Sequence, residues 1–329
     1  MTLGLTTVAL GGDLAEALDG VPAIAGVGQI LGPAGKSLVV GRPANLRRWA
    51  ATHLGKARPR RKGVRPPVDL RPIATAVAFL PATSAFQQRL AFERLMALYV
   101  APSARRDLKP AIYLHLDLGE RFPRISIRSG LDGASASSLY GPLRNRGAAD
   151  RVRQGIQRLH RLRPCDYVFE PQPELPLGIG CVYAQVATCA APCLLRVTED
   201  AYRAVARQAA DLLATADARP PELATVVDAW VASVDGSVGL VYERGASGLE
   251  LYPVARGGVF EEGATVQADG EAMGVALSRL AWPGDALQRD DSAWLSSWLH
   301  APRRSGRYAV FRGRPSLAEL ARRLEGDGL

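Results

Sequence analysis

Cysteine is scarce in this chain, and its distribution is the first constraint. All four cysteines of the 329 residues lie between positions 165 and 193, so the other 300 residues contain no thiol. Long apolar runs are also missing, and no segment reaches the length of a transmembrane helix. The first twenty residues lack Lys and Arg and carry Asp13, Glu16 and Asp19, which predicts that they are no signal peptide. We therefore expect a protein of the bacterial-type cytoplasm, with reduced thiols and no membrane partner.

The cysteines have a spacing that indicates one metal centre. They are separated by 15, 7 and 3 residues, at Cys165, Cys181, Cys189 and Cys193. Four thiolates complete a structural zinc site or hold an iron–sulfur cluster. The spacing is looser than the paired C-x2-C arrangement of common zinc modules, which weakens a zinc-finger interpretation. A pair of disulfides and four unliganded buried thiols are the alternatives, and at this point zinc and iron–sulfur both stay open.

The net charge of +9 is distributed unevenly. Residues 1–194 contain 26 Lys and Arg against 13 Asp and Glu, whereas residues 195–329 contain 15 against 19. The densest basic run is 42–71, with ten basic residues and one acid. This asymmetry predicts a polyanionic partner, most simply nucleic acid. The alternative is an arginine-rich proteome that makes most chains basic, but the acidic C-terminal third shares that proteome.

Apolar and turn-forming segments predict a folded α+β protein in three parts, 1–108, 109–217 and 218–329. The first part is expected to be a β-β-α-β-α unit, with elements at 22–31, 37–41, 43–54, 73–79 and 84–100. The second is expected to have strands at 112–116 and 124–128, an arginine-rich helix at 145–162, the loop-rich cysteine segment and a helix at 198–216. The third, a small α+β unit, is expected to have a hairpin at 238–254, helices near 271–281, 291–299 and 316–325, and a strand at 307–312.

Several motifs resemble the UvrC/Cho family of excision-repair endonucleases. Gly26-Val27-Gly28 and the segment 39–48 resemble the G-V-Y and Y-V-G-K-A-x-N-L-R motifs of its GIY-YIG nuclease domain. The segments 158–165 and 181–193 resemble its R-L-F-x-L-R-x-C and C-x-Y-Q-x-x-x-C-x-A-P-C cysteine signature. The likeness covers about residues 20–216. It implies a small, mostly antiparallel nuclease-like sheet with helices, then a module whose four cysteines hold a [4Fe–4S] cluster.

The resemblance also shows which catalytic groups are missing. Gly28 and Val39 stand where the family has its motif tyrosines, and Trp49 stands at the catalytic arginine. Neither Gly nor Val can transfer a proton, and an indole carries no positive charge. The catalytic positions that remain are Glu93, which would bind Mg²⁺ or Mn²⁺, His53, and Arg42 in place of a lysine. Pairing of Glu93 with Arg42 or Arg47 is as well supported as metal binding, because Glu93 lies on a core-facing helical stripe.

We therefore expect a DNA-binding UvrC/Cho-like protein whose incision activity is lost or strongly reduced. The residues expected to contact DNA are arginines and one lysine, namely Arg47, Arg48, Arg58, Arg60, Arg61, Lys62, Arg144 and Arg146. Residues 218–329 match no later part of UvrC and are expected to contact other excision-repair proteins. One alternative is an active metal-dependent nicking enzyme with a rearranged site, and another is a protein-interaction scaffold.

Overall fold

The computed structural model describes residues 4–55, 69–101, 104–105, 108–130, 138–173, 181–214, 237–255, 258–259, 264–266, 275 and 291–326. Its class is α+β, as predicted, with small antiparallel sheets and helices. The chain forms two compact units. The first comprises residues 1–108 with 243–250 and 265–268, and the second comprises 109–242, 251–264 and 269–329. The predicted division into three domains stays a prediction.

The first unit is built on a four-stranded antiparallel sheet with the order β1-β4-β2-β3. Its elements are β1 (Thr6–Ala9), α1 (Leu14–Asp19), β2 (Gly26–Leu31), β3 (Ser37–Gly41), α2 (Leu46–Leu54), β4 (Ala76–Pro81) and α3 (Ala85–Tyr99). The five predicted elements are present, but β1 and α1 were missed. Both are short, and α1 buries no residue, so neither produces a strong apolar pattern.

Capping explains where the two longer helices of the first unit begin. The Asn45 side chain accepts the Arg48 N–H at 2.8 Å, so α2 begins after Asn45 and not at the predicted residue 43. The Ser84 hydroxyl accepts the Gln87 N–H at 3.1 Å, which confirms the predicted N-cap of α3. Alternation along β2 then places Ile30 in the core with α2, and Val27 in the core with α3.

The second unit contains a three-stranded antiparallel sheet, β6-β5-β7, formed by β5 (Ile112–Leu116), β6 (Ile125–Ser129) and β7 (Leu139–Leu143). Its helices in this region are α4 (Arg146–His160), α5 (Val182–Gln185) and α6 (Glu199–Ala214). One apolar core joins β5, α4 and α6 through Leu114, Val152 and Ala206. Helix α4 ends at His160 because Arg161 adopts a left-handed conformation with φ of 50°.

The C-terminal strands and helices are β8 (Ser237–Gly245), β9 (Gly248–Ala255), β10 (Gly258–Val259), β11 (Ala264–Val266), α7 (Ser292–Leu299), β12 (Arg307–Arg312) and α8 (Leu317–Gly326). The sheet order is β10-β9-β8-β12, and β11 also pairs with β9. The predicted hairpin, the strand at 307–312 and the last two helices are confirmed. The predicted helix near 271–281 lies outside the described residues. Within the part of the chain that is described, no helix is long and apolar enough to cross a lipid bilayer.

Candidate functional site

The Trp49 indole lies against two glycines of the β2–β3 pair. Gly28 and Gly41 are directly opposite each other across these strands. A Cβ atom on Gly28 would lie 2.5 Å from Cζ3 of Trp49, and a Cβ atom on Gly41 would lie 2.7 Å from its Nε1. Only a residue without a side chain lets the ring come this close. The space over the two glycines, where the resemblance places a motif tyrosine, is therefore filled by indole.

His53 and Val39 are two further positions at which the resemblance expects active-site residues. The His53 imidazole packs edge-on against Trp49, with ring centroids 5.3 Å apart and planes at 67°. Burial lowers the pKa of His53, so the ring is neutral at pH 7. Val39 is opposite Ile30 in the β2–β3 register and packs against the core that contains Ile30. The Val39 side chain thus contributes packing at a position where the family has a hydroxyl.

Glu93 is buried in a pair of ionic contacts. It lies on α3 and is only 4% exposed. Its Oε1 is 2.7 Å from Nε of Arg89 one turn earlier, and its Oε2 accepts a hydrogen bond from Nη1 of Arg105. The expectation that Arg42 or Arg47 would pair with Glu93 was wrong. Both oxygens of the carboxylate face guanidinium groups, so this site fits a structural ion pair better than a divalent cation.

The predicted arginines of the first unit have separate roles. Arg42 is exposed, and its guanidinium lies 5.7 Å from the centroid of the Phe92 ring. Arg47 pairs with Asp19 at 3.2 Å, a contact that ties α2 to the end of α1. Arg48 is exposed on α2. Arg42 and Arg48 are therefore accessible to a phosphate, whereas Arg47 already has an acidic partner. Four further candidates lie outside the described residues, namely Arg58, Arg60, Arg61 and Lys62.

The cysteines come together in the loops that surround α5. Cys181 is the N-cap of α5, and Cys189 lies four residues after the end of α5. Cys193 lies in a single 3-10 turn at Pro192–Leu194. All four are free thiols, and Cys189 is buried. The Ala191 N–H donates to Sγ of Cys189 at 3.3 Å. In the described part of the chain, no group of three or more His, Cys, Asp or Glu side chains is arranged to hold a metal ion.

The four thiols nevertheless affect one another electrostatically. The pKa of Cys189 is raised to about 11, mainly by burial; the hydrogen bond from the Ala191 N–H opposes this rise, and the charges of the other three cysteines add to it. Burial also raises the pKa of Cys193, with added effects from Cys181 and Cys165. The side chains are thus close enough for a negative charge on one to oppose ionisation of the next. For Cys189 and Cys193 the thiol form is therefore favoured over the thiolate.

Arg163 holds the chain at the first cysteine. The residue is only 9% exposed, and its side chain donates to three backbone carbonyls: Nε to Phe122 at 2.8 Å, and Nη1 to Cys165 at 3.3 Å and to Tyr167 at 2.8 Å. Its own N–H donates to the Tyr202 hydroxyl on α6 at 2.8 Å. The arginine-rich helix was predicted to end at residue 162, directly before Arg163. The observed helix ends at His160, and Arg163 is a buried support for the cysteine segment.

A basic groove of about 600 Å³ lies between β6 and the beginning of α4. Its lining residues are Arg124, Ile125, Ser126, Ile127, Arg146, Gly147, Asp150, Arg153 and Pro164. Arg146, predicted to contact DNA, is in this lining, and Arg144 is exposed just before α4. Arg153 belongs to the predicted arginine-rich helix, whereas nothing in the sequence indicates that Arg124, just before β6, lies beside that helix. Only the fold brings them together.

The middle of the chain is similar to a known protein family. A family profile described as the UvrC/Cho excinuclease middle domain matches residues 111–212. This range contains β5 to α6, the four cysteines, Arg163 and the groove. Curated relatives also match, and the three given below are each described as UvrABC system protein C.

Three relatives show the extent of this similarity. The protein from Novosphingobium aromaticivorans is 33% identical over 33% of this chain and 16% of its own length. The protein from Methanospirillum hungatei is 25% identical over 59% of this chain and 35% of its own. The protein from Paenarthrobacter aurescens is 25% identical over 76% of this chain and 36% of its own. The chain thus spans only 16% to 36% of these relatives' lengths. No solved structure matches it.

Proposed function

We propose that this chain, which belongs to the UvrC/Cho-like family through its middle domain, binds DNA in nucleotide excision repair and does not cut it at a useful rate. The observation that carries the repair assignment is the family match over residues 111–212. In this proposal the protein works in the cytoplasm. Residues 218–329 contact other excision-repair proteins in this proposal. Their place in the acidic part of the chain supports a protein partner over DNA, because like charges repel.

The cysteine centre is proposed to hold a [4Fe–4S] cluster. Cys165, Cys181, Cys189 and Cys193 would be its ligands, and a set of four sulfur donors suits this group. The hydrogen bond from Ala191 N–H to Sγ of Cys189 is of the kind that stabilises a ligating sulfur. When bound, the cluster would offset the negative charge of four thiolates and join four points of a segment with little regular structure. Its role in this proposal is structural.

The loss of incision is proposed from the contacts of Trp49 and Glu93. Hydrolysis of a phosphodiester needs a group that activates water, a cation that stabilises the charge developing on phosphate, and space for both. Trp49 fills the space over Gly28 and Gly41. The Glu93 carboxylate, the family's metal-binding position, is engaged by Arg89 and Arg105. This site therefore does not fit a metal-dependent step, and in the described part of the chain no acidic side chain pairs with His53.

DNA binding is proposed to depend on the basic two-thirds of the chain. The exposed side chains of Arg42, Arg48, Arg144 and Arg146 can reach phosphate groups from solvent. Phosphate contacts by such residues give affinity that does not depend on base sequence and that weakens as salt displaces the protein. We therefore expect binding to duplexes of different sequence with similar affinity.

Fluorescence anisotropy with a labelled duplex tests this function. The wild-type protein should bind at low salt, and the logarithm of the binding constant should fall linearly with the logarithm of salt concentration. Changing Arg58, Arg60 and Arg61 together to alanine should reduce the magnitude of that slope by about 3, since each phosphate contact contributes about one. Absence of binding at low salt would overturn the proposal and favour a protein-interaction scaffold.

Iron analysis tests the cluster separately. Protein purified without oxygen should be brown and contain about four iron atoms per chain, because a [4Fe–4S] cluster is bound by four cysteines. Changing Cys189 to alanine should remove most of the iron. Stoichiometric zinc in place of iron would overturn the cluster assignment while leaving the DNA-binding proposal intact.

A further inference from the structure

The groove between β6 and α4 combines charge with a defined shape. Arg124 lies just before β6, Arg146 is the first residue of α4, and Arg153 is two turns further along the helix. Asp150 is the one acidic residue in the lining. The groove therefore draws its positive charge from two different elements that the fold of the second unit places side by side.

The acid in the groove is neutralised locally. The Asp150 carboxylate accepts hydrogen bonds from Nη2 of Arg153 at 2.6 Å and from Nε2 of Gln154 at 2.7 Å. Hydrogen bonding from Arg153 lowers the pKa of Asp150, so the pair stays ionised and contributes no net charge. Among the described residues, neither Arg124 nor Arg146 forms an ion pair within 4 Å, although the charge of Arg146 also contributes to lowering the pKa of Asp150. These two side chains give the groove a net charge of about +2, counted from unpaired guanidinium groups.

The beginning of α4 adds backbone donors to this charge. The first N–H groups of a helix have no partner within the helix. The N-cap of α4 is Asn145, whose side-chain oxygen accepts a hydrogen bond from the Ala148 N–H at 2.8 Å. The two residues before Ala148 both line the groove, and one of them is Gly147. A Cβ atom on Gly147 would meet no atom closer than 3.5 Å, so the fold does not require glycine here. Glycine instead leaves open space beside the N–H groups.

The lining of the groove also includes apolar residues. Ile127 and Pro164 contribute hydrocarbon surface to the lining, and Ser126 contributes a hydroxyl. A free phosphate or sulfate ion would gain nothing from hydrocarbon, whereas a deoxyribose ring would be partly removed from water by it. No aromatic side chain is present in the lining on which a base could stack. These features favour a unit of nucleic-acid backbone over an isolated anion or an unpaired base.

We propose that this groove binds one phosphodiester of a DNA duplex, with Arg124 and Arg146 on the phosphate and the adjoining deoxyribose against Ile127 and Pro164. The inference rests on the proposed DNA-binding function and assigns it a place on the second unit. Pro164 immediately precedes Cys165, so the groove adjoins the cysteine centre in sequence. Phosphate contacts of this kind set the position of a protein on DNA without reading its sequence.

The test is the salt dependence of duplex binding by full-length variants. Arg124→Ala and Arg146→Ala should each reduce the magnitude of the slope by about 1, and the double variant by about 2. The matched control is Arg207→Ala, which removes the same charge from an exposed position on α6 outside the groove. Circular dichroism and thermal unfolding of each variant confirm that its fold is retained.

A second pair of variants places a negative charge in the groove without removing an arginine. Gly147→Glu should weaken binding at least tenfold at low salt, because a carboxylate would stand where the phosphate is expected. The control Ala204→Glu makes the same change in charge at an exposed position on α6. It should weaken binding less than threefold.

The outcomes separate the two proposals. If the groove variants match their controls while the wild-type protein binds DNA, the groove assignment is wrong and the DNA-binding function stands. Should the wild-type protein fail to bind at low salt, both are overturned. Reduced slopes for the groove variants alone support both.

Discussion

Trp49 lies against Gly28 so closely that a Cβ atom on the glycine would stand 2.5 Å from the indole. The two positions are those at which the resemblance to GIY-YIG nucleases expects a tyrosine and an arginine. Each departs from the motif, and the departures fit together sterically, since a large ring occupies the space that a missing side chain leaves. The same ring also covers Gly41, which is opposite Gly28 in the sheet. The space over Gly28 and Gly41 is therefore filled by tightly packed side-chain atoms.

This packing predicts a specific energetic coupling. Gly28→Ala should lower the free energy of unfolding by about 1–3 kcal/mol, the usual cost of an added methyl group in a filled site. In a Trp49→Ala background the same change should cost less than about 1 kcal/mol, because the indole no longer opposes it. Urea denaturation of the four proteins measures the coupling. Gly11→Ala is the control, since a Cβ atom there would have no neighbour within 4 Å. Equal costs in both backgrounds would contradict the described packing.

Glu93 should behave as a structural residue. Glu93→Gln removes the carboxylate charge that faces Arg89 and Arg105, both of whose side chains are mostly buried. We expect a loss of about 3–5 kcal/mol in unfolding free energy, as found when one member of a buried ion pair is removed. Denaturation in the absence and presence of Mg²⁺ is the measurement, and Glu16→Gln on the exposed face of α1 is its control. A small cost, together with a wild-type stability that rises with Mg²⁺, would indicate a metal ligand instead.

The cysteine centre predicts a pH dependence of the iron-free protein. The pKa of Cys189 is raised from 9.0 to about 11 in the folded state, so folding favours its protonated thiol. The stabilisation is present below pH 9 and is lost as the pH rises through about 11, with a size of about 2 kcal/mol. Comparing the unfolding of the iron-free wild type with that of Cys189→Ala between pH 8 and pH 11 isolates this contribution. If the difference between the two proteins does not change with pH, the thiol is not buried as described.

Arg163 should be needed for the cysteine segment to keep its iron. Arg163→Lys leaves the charge but cannot donate to the carbonyls of Phe122, Cys165 and Tyr167 together, because an ammonium lacks the planar fork of donors. We expect the iron content after gel filtration to fall to less than half of the wild-type value. Arg158→Lys, at an exposed position of α4, is the matched control and should retain its iron. Equal iron in both variants would argue against this support.

Local patterns were sufficient for most of the secondary structure and for the family. The strand at 112–116 was predicted with its observed bounds, because it alternates strongly and is flanked by turn residues. The N-cap of α3 was likewise visible as Ser84. The end of α4 was placed two residues late, since the left-handed conformation of Arg161 has no glycine to signal it. Arg163 lies beyond this earlier end of the helix, where its side chain supports the cysteine segment.

Contacts between distant segments were harder to predict. The pairing of Arg89 with Glu93 follows from their spacing of four residues on a helix and could have been found. Arg105 lies beyond the end of α3, so only the fold brings it to Glu93. The position of Trp49 over Gly28 could be predicted only with the β2–β3 register and the orientation of α2 already known. The sequence showed Trp49 at the position of the family's arginine, but not that its indole fills the space over Gly28 and Gly41.

A nicking assay tests most directly whether this protein binds DNA without cutting it. The full-length protein, purified without oxygen, is incubated with supercoiled plasmid and with a damaged duplex in the presence of Mg²⁺ or Mn²⁺, under salt conditions where anisotropy shows binding. The account predicts binding with no strand cleavage above that of the Glu93→Ala protein. Metal-dependent nicks that disappear in Glu93→Ala would contradict it and establish an active nuclease with a rearranged site.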